Sequence, residues 1–353
     1  MAILIDLEDP SAMKGHAYLE DESLSIQRKA YEVFYQGLKD GVAEGLGLEG
    51  GEMFAYRRTG GSNLDLPDVY MDADGNEGVF SESIYPKYDI ILCISTDSAT
   101  APLTAFAKQY GFRGATLHGL NDIILQSGLS VDYHQVSEEA EKLRSALNHA
   151  DAFEVDFVVH DKHLSLSIHC AGQEAQKSHG LCLGDEPDVA NLPAGEVYFV
   201  PRGAEGQFPM KYKDGTIGCM DVQDGKIVKA TLLNGDQAVI DAHNAKLSSD
   251  PVTGVLGELG FGTQTLPVSG KDIQDEKILG TMHVATGRSD HLGGDLTPDK
   301  FAKALNATHD DILFSPSKTP EINVSQVRMI REGDTVPVLE SFKVTHYLEE
   351  AMA

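Results

Sequence analysis

The residues best suited to chemistry in this chain are carboxylates and histidines that lie beside glycines in its second half. Four segments carry them: NLPAGEVYFV with Glu196, GELGFGT with Glu258, DEKILGTMHVATG with His283, and THDDILF with His309 and Asp311. Three carboxylates and two imidazoles make a mixed oxygen and nitrogen ligand set, which suits Zn²⁺, Mn²⁺, Co²⁺ or Fe²⁺. We therefore predict that these five residues form a metal site.

The local sequence around each residue predicts how its side chain is held. Glu196 follows a Pro-Ala-Gly turn and begins an apolar run, so it should start a strand, and the glycines around Glu258 allow close backbone approach. His283 lies in the apolar context TMHVA and should be buried on a strand. His309 and Asp311 are two residues apart, so an extended backbone points both to one face. Two ions would fit if one carboxylate bridged them at about 3.5–4 Å.

Each of these residues also has an ordinary alternative explanation. A lone buried histidine is commonly a hydrogen-bonded core residue, and a glutamate beside a glycine turn is commonly solvated or a helix cap. Asp311 could pair with a basic side chain. The spacing His-x-Asp is by itself a weak signal, so the prediction of a metal site depends on all four segments together.

The first part of the chain alternates apolar runs with helical patterns. Residues 23–41 and 99–110 have helical spacing, and Gly111 should end the second helix. Between them, Tyr88 to Ser95 reads YDIILCIS, which is typical of a strand buried on both faces. Residues 115–118 predict a further strand and residues 137–149 another helix. This order predicts a parallel α/β domain over residues 1–150.

After residue 150 the pattern changes to β-type runs separated by turns. Residues 153–160 and 164–169 predict two strands, and the dipeptides Asp-Gly, Asp-Gly and Asn-Gly at 214, 224 and 234 indicate hairpins. Helices are expected near residues 237–247 and 298–306. The fold class predicted is α/β, with a mixed β/α metal-binding catalytic domain over residues 151–353.

Composition limits the partners of the chain. It has 353 residues with 55 acidic and 28 basic side chains, a net charge of −27. Nucleic acid and anionic membranes are therefore improbable partners, and a small-molecule or short-peptide substrate is expected. Four scattered cysteines predict reduced thiols in the cytoplasm. The first residues do not resemble a secretory signal, and no apolar stretch is long enough to predict a membrane span.

The four segments, in this order, resemble the motifs of the aminopeptidase T/aminopeptidase S family of metallopeptidases. The resemblance covers roughly residues 85–320. It implies that Glu196, Glu258, His283, His309 and Asp311 correspond to the five ligands of a two-metal centre. It also implies an N-terminal α/β domain, a C-terminal catalytic domain and a homodimer that encloses the active site.

The chain departs from that family near its metal histidine. The peptidases have a tyrosine seven residues after this histidine, where the present chain has Asp290. Their Asp-Glu-Asn run precedes the histidine by five residues, whereas Asp275 and Glu276 lie eight and seven residues before His283. Asp290 and His291 are candidate acid/base groups, although a polar loop explains them equally well.

The iron-dependent dihydroxypyridine dioxygenase is a second relative by resemblance, with the same fold and the same His-x-Asp pair. It has a histidine where this chain has Glu258, which completes a set of two histidines and one carboxylate, and it has no ligand at the position of His283. Both differences favour a two-metal hydrolytic set in this chain.

The leading prediction is a metal-dependent hydrolase of an amide or related C–N bond in a small substrate, similar to the aminopeptidases, with two divalent ions. A free carboxylate of Glu196, Glu258 or Asp290 would carry the proton to the leaving amine. The candidate catalytic residues are therefore Glu258, Asp290 and His291. One alternative is a mononuclear iron dioxygenase that cleaves a hydroxylated heteroaromatic ring. Another is a binding protein of the same fold that has lost turnover. Arg202 and Arg288 lie near the motifs, where either could bind a substrate carboxylate or form an exposed salt bridge.

Overall fold

The protein is described by a computed structural model that covers residues 1–39 and 41–353, and it has the mixed α/β fold that the sequence predicts. The chain forms two compact units. The first comprises Met1–Val131 and Gly180–Pro193, and the second comprises Asp132–His179 and Ala194–Ala353. In the part of the chain that is described, no helix has both the length and the apolar character needed to cross a bilayer.

The strands are numbered in chain order. They are β1 (Ala2–Leu7), β2 (Glu52–Arg57), β3 (Val69–Asp72), β4 (Glu77–Val79), β5 (Ile90–Ser95), β6 (Arg113–His118), β7 (Ala152–Val159), β8 (Lys162–His169), β9 (Gln176–Ser178), β10 (Val189–Asn191), β11 (Glu196–Phe199), β12 (Gly203–Lys211), β13 (Ile217–Gln223), β14 (Lys226–Asn234), β15 (Leu256–Gly262), β16 (Met282–Gly287), β17 (His309–Phe314), β18 (Ile322–Arg331), β19 (Asp334–Glu340) and β20 (Lys343–Val344).

The helices are also numbered in chain order, and several are single turns. They are α1 (Ser25–Lys29), α2 (Val42–Gly45), α3 (Phe80–Ser83), α4 (Thr100–Tyr110), α5 (Asp122–Gln126), α6 (Tyr133–Leu147), α7 (Gln237–Ser249), α8 (Asp272–Asp275) and α9 (His346–Met352).

The first unit is built on one seven-stranded sheet in the order β10-β6-β5-β1-β2-β3-β4. The strands from β10 to β2 are parallel, and β3 and β4 are antiparallel additions. The apolar runs AILIDL and IILCIS form the central strands β1 and β5, because a parallel sheet is covered on both faces. Helix α4 ends at Gly111, whose φ of 84° is the left-handed value that glycine adopts without strain.

The second unit contains two antiparallel sheets. Five strands lie in the order β17-β16-β15-β11-β9, and eight in the order β14-β13-β12-β8-β7-β18-β19-β20. Aromatic contacts join the sheets: the ring centroids of Phe153 and Phe261 are 5.3 Å apart, and those of Phe157 and Phe314 are 5.0 Å apart. One face of the five-stranded sheet therefore belongs to the core, and its other face is available for polar side chains.

The unit boundaries differ from the expected boundary at residue 150. Helix α6 belongs to the second unit because Leu143 and Leu147 pack into the core of that unit. The segment Gly180–Pro193 returns to the first unit, where β10 pairs with β6. Sequence periodicity does not show which of two cores an amphipathic helix covers.

Three local predictions differ from the structure. The expected helix over 298–306 is two separate 3₁₀ turns, Pro298–Lys300 and Ala304–Asn306. The helix expected over 23–41 is the short α1 followed by a π-helical turn, and residue 40 lies outside the described part of the chain. The Asn-Gly pair at 234 leads from β14 into α7 rather than into a hairpin.

Candidate metal centre

The five-stranded sheet of the second unit carries the predicted ligands on the face that is turned away from the core. Strand register sets Glu196 opposite Gly262, Glu258 opposite Ala285, and Ala285 opposite Asp311. Residues paired directly across antiparallel strands share a face, and alternate residues of each strand do so too. The intervening apolar residues point into the core. They are Val197, Phe199, Leu259, Phe261, Met282, Val284, Ile312 and Phe314.

Two glycines of β15 make room for the centre. Gly260 lies opposite His283, and a Cβ atom on Gly260 would be 2.1 Å from the imidazole Cε1. A Cβ on Gly262 would be 2.2 Å from the carbonyl oxygen of Ile278, so this glycine lets the 276–278 segment lie against the strand. The motif GELGFG therefore packs one imidazole and one loop against the backbone of β15.

The carboxylate of Glu258 lies between two imidazoles, one near each of its oxygens. Its Oε1 is 3.5 Å from the Nε2 of His283, and its Oε2 is 3.0 Å from the Nε2 of His309. Asp311 Oδ1 is 3.3 Å from the same nitrogen of His309, and Glu196 Oε2 is 3.7 Å from that of His283. The five residues of the sequence prediction thus come together, with both Nε2 atoms directed at carboxylates.

The hydrogen bonding of His309 fits a metal ligand. Its Nδ1–H donates to the carbonyl oxygen of Arg288 at 2.6 Å, because a carbonyl can only accept. That bond fixes the tautomer and leaves the Nε2 lone pair facing Glu258 and Asp311. A neutral imidazole and two carboxylates are all acceptors, so the space between them requires a cation, either a proton or a metal ion.

The pKa values follow from burial and from these neighbours. Burial raises the pKa of the Glu258 carboxyl, but the two histidines outweigh it and hold the pKa well below its usual range. Burial lowers the pKa of His283, yet Glu258, Glu276 and Glu196 together raise it to about 9. The pKa of His309 likewise lies well above its ordinary value, because Asp311 and Glu258 outweigh its burial. Without a metal ion, these histidines therefore hold protons.

Two residues of the centre, Glu276 and Lys277, were not assigned as site residues from the sequence. Lys277 is 1% exposed, and its Nζ lies 2.7 Å from Glu196 Oε2 and 2.6 Å from Glu276 Oε1. Burial lowers the pKa of Lys277, but the two carboxylates outweigh it and raise the pKa above its ordinary value. The only sequence signal was the run Asp275-Glu276-Lys277 itself. Asp275 has a structural role, since its carboxylate accepts hydrogen bonds from the backbone of Ser269 and Gly270.

The two candidate acid/base residues differ in how they are held. Arg288 holds the Asp290 carboxylate by two hydrogen bonds: its Nε donates to Oδ1 at 2.7 Å, and its Nη2 donates to Oδ2 at 3.2 Å. Burial raises the pKa of Asp290, and His291 and Arg288 outweigh it, so the carboxyl stays ionised. The side chain of His291 is 6% exposed and its ring stacks edge-on against His309 with centroids 4.9 Å apart. Burial lowers the pKa of His291 and so favours its neutral form at pH 7.

Three trios of side chains in the described residues place ligand atoms within 4.8 Å of one another. Each trio contains a single histidine, and Asp311, with a side chain 28% exposed, is the ligand most open to solvent. The trios are Glu196, Glu258 and His283; Glu258, His309 and Asp311; and Glu276, His283 and Asp311.

Arg202, which the sequence analysis placed near the motifs, is half exposed. Its Nη1 lies 4.0 Å from Oδ2 of Asp295, which is the longest distance at which the two side chains count as an ion pair.

Comparison with known proteins gives a likeness of fold. No family model matches the chain, and no curated protein matches it in sequence. The solved structure of 2,5-dihydroxypyridine dioxygenase from Pseudomonas putida KT2440 matches over 98% of this chain and 91% of that chain, with a TM-score of 0.58 and 13% identity. At this identity the match shows a shared fold. It agrees with the second relative named from the sequence, whereas the aminopeptidase resemblance depends on the four motifs alone.

Proposed function

We propose that this chain is a metal-dependent enzyme that hydrolyses an amide or related C–N bond in a small molecule. The observation that carries the proposal is the position of Glu258, whose two carboxylate oxygens each face the Nε2 of a different histidine. Buried imidazoles and carboxylates that converge in this way, with the tautomer of His309 fixed from outside, have the geometry of ligands around a divalent cation.

The composition of the trios supports hydrolysis over oxygen activation. Mononuclear iron oxygenases use two histidines and one carboxylate around the metal. Among the trios that the described residues form, each has one histidine and two carboxylates. Oxygen-rich sets of this kind suit metals that act as Lewis acids.

Glu258, His309 and Asp311 would hold the ion on the solvent-facing side of the centre. A bound divalent ion would polarise the carbonyl of the substrate and lower the pKa of a water molecule. His291 is neutral and lies beside His309, so it can take up a proton and pass it to a leaving amine. Asp290 stays ionised in the grip of Arg288, which suits a positioning residue better than an acid.

A second candidate function is a mononuclear iron dioxygenase of a hydroxylated heteroaromatic ring. The likeness of fold to 2,5-dihydroxypyridine dioxygenase over almost the whole chain favours it. The comparisons support this candidate better than the aminopeptidase reading, and the ligand set supports the hydrolase. The two differ in the metal they require and in whether O₂ is consumed.

The test begins with protein stripped of metal by a chelator and reloaded separately with Zn²⁺, Mn²⁺, Co²⁺ and, without air, Fe²⁺. Each form is assayed on amino-acid anilides and small cyclic amides, and on 2,5-dihydroxypyridine with an oxygen electrode. We expect amide hydrolysis by at least one reloaded form and no O₂ uptake. Full metal occupancy with no amide turned over would contradict the hydrolase, and O₂ uptake with Fe²⁺ alone would establish the second candidate.

The variant Asp311→Asn provides the site-specific arm of the test. It keeps the size of the side chain and removes the charge of the most accessible ligand. We expect its activity to fall by at least about a hundredfold, since even residues that only support metal ligands cost ten- to a hundredfold. Asp310→Asn is the matched control because Asp310 is the neighbouring residue on β17 and belongs to none of the trios.

A further inference from the structure

A buried ammonium group lies among the carboxylates of the metal centre. The side chain of Lys277 is 1% exposed, and two of its three N–H donors reach Glu196 Oε2 at 2.7 Å and Glu276 Oε1 at 2.6 Å. Surface lysines form weak and mobile ion pairs, whereas this lysine is enclosed with both of its partners.

The backbone of Lys277 packs closely against the end of β15. Its carbonyl oxygen accepts a hydrogen bond from the amide of Gln264 at 2.8 Å, just beyond β15. The glycine at 262 allows this approach, because a Cβ there would be 2.6 Å from the Lys277 carbonyl carbon. The backbone of Lys277 is therefore held against the end of the strand that carries Glu258, and the side chain starts beside the carboxylates that it contacts.

The ammonium group of Lys277 contacts Glu196, the carboxylate that a second metal ion would need as a ligand. A two-ion centre bridged by Glu258 would place one ion with Glu258, His309 and Asp311, and the other with Glu258, His283 and Glu196. Glu196 Oε2 faces the His283 Nε2 at 3.7 Å and is already in contact with Lys277. An ion at about 2.0–2.2 Å from that oxygen would lie beside a fixed positive charge.

We propose that Lys277 is a permanent cation of this centre and restricts it to one divalent ion, held by Glu258, His309 and Asp311. The ammonium group bonds to both Glu196 and Glu276, and in doing so takes the place of the second ion that the sequence predicted. Lys277 is thus a positioning residue that sets the metal count. This inference rests on the proposed function in requiring that the centre bind metal at all.

The experiment counts metal ions in the intact chain. Wild type, Lys277→Met and Lys271→Met are stripped, incubated with excess Mn²⁺, desalted and measured by elemental analysis, and the Mn²⁺ signal is recorded by electron paramagnetic resonance. Lys271→Met is the matched control, since Lys271 is exposed and lies six residues earlier. We expect one ion per chain in wild type and control. Lys277→Met should bind two ions, with the spectrum of a coupled pair.

The outcomes separate this inference from the function on which it rests. Two ions in the wild-type chain would overturn the role of Lys277 and leave the hydrolase standing, as would a single ion in a folded Lys277→Met. A wild-type chain that binds no ion would overturn both. If Lys277→Met does not fold, Lys277→Gln replaces it and should also bind two ions. Glu276→Gln, which keeps the lysine, should still bind one ion.

Discussion

Replacing Gly260 by alanine tests the idea that the backbone of β15 was shaped around an imidazole. The new Cβ would be 2.1 Å from Cε1 of His283. Carbon atoms pack best at about 3.5 Å, so the ring would have to retreat by roughly 1.4 Å. Binding geometry tolerates about 0.5 Å, and the ring is held by Glu258 on one side and by the sheet on the other.

We expect two measurable effects from Gly260→Ala. Overpacking a filled site costs about 1–3 kcal/mol, which should appear as a lower urea midpoint with an unchanged slope. Displacing the ring that contacts Glu258 should also weaken metal binding by about ten- to a hundredfold, the effect typical of groups that orient ligands. Isothermal titration calorimetry on stripped protein would measure the second effect.

Gly45→Ala is the control for Gly260→Ala. Gly45 ends the short helix α2, and no atom outside its chain neighbours and its own helix backbone lies within 4 Å of a Cβ built there. This substitution should leave metal affinity unchanged and stability equal or slightly higher, because alanine favours a helix more than glycine does. Wild-type stability and wild-type metal affinity in Gly260→Ala would refute the reasoning, since the imidazole would then not lie against that strand.

Three further predictions concern charge and proton transfer. In the metal-free chain the pKa of His283 is raised from 6.5 to about 9, so the protonated ring stabilises the fold fully below pH 6.5 and this stabilisation is lost as the pH rises through 9. Urea unfolding in the presence of a chelator should therefore show a free energy of unfolding that falls over this pH range, and a free energy that does not change with pH would contradict the prediction. His291→Ala should keep its metal content and lose about a hundredfold in kcat, because the neutral ring beside His309 carries the proton; an unchanged kcat would exclude it. Asp290→Asn should lower the free energy of unfolding by about 1.5–3 kcal/mol, because it weakens the charge-assisted hydrogen bonds to Arg288. Urea unfolding measures this loss, elemental analysis should find the metal content unchanged, and a different result in either measurement would contradict the prediction.

The ligand positions were predictable because strand geometry is local. The spacing of His309 and Asp311 and the turn before Glu196 each need only a few residues of sequence, and the structure has these residues where the pattern predicts, on β17 and at the start of β11. That the five side chains come together was predicted from their ligand types in four segments, with the resemblance of those segments to family motifs as further support. Their roles as ligands, and the homodimer, stay predictions.

Other features depend on contacts that a linear pattern does not contain. The burial of Lys277 requires Glu196, which is 81 positions away, and the opening left by Gly262. A lysine is usually exposed, so nothing in its own segment predicted an interior position. The sequence between 298 and 306 suggested a helix, yet its two 3₁₀ turns end after three residues each.

The return of Gly180–Pro193 to the first unit makes both units discontinuous in sequence. The chain passes from one unit to the other three times, after Val131, His179 and Pro193. A fragment that stops at residue 150 would therefore lack the edge strand β10 while carrying α6, whose apolar side would have no core to cover. Expressing either half as a truncation should yield insoluble protein, and joining the two segments of one unit through a short linker is the better means of isolating that unit for biophysical work.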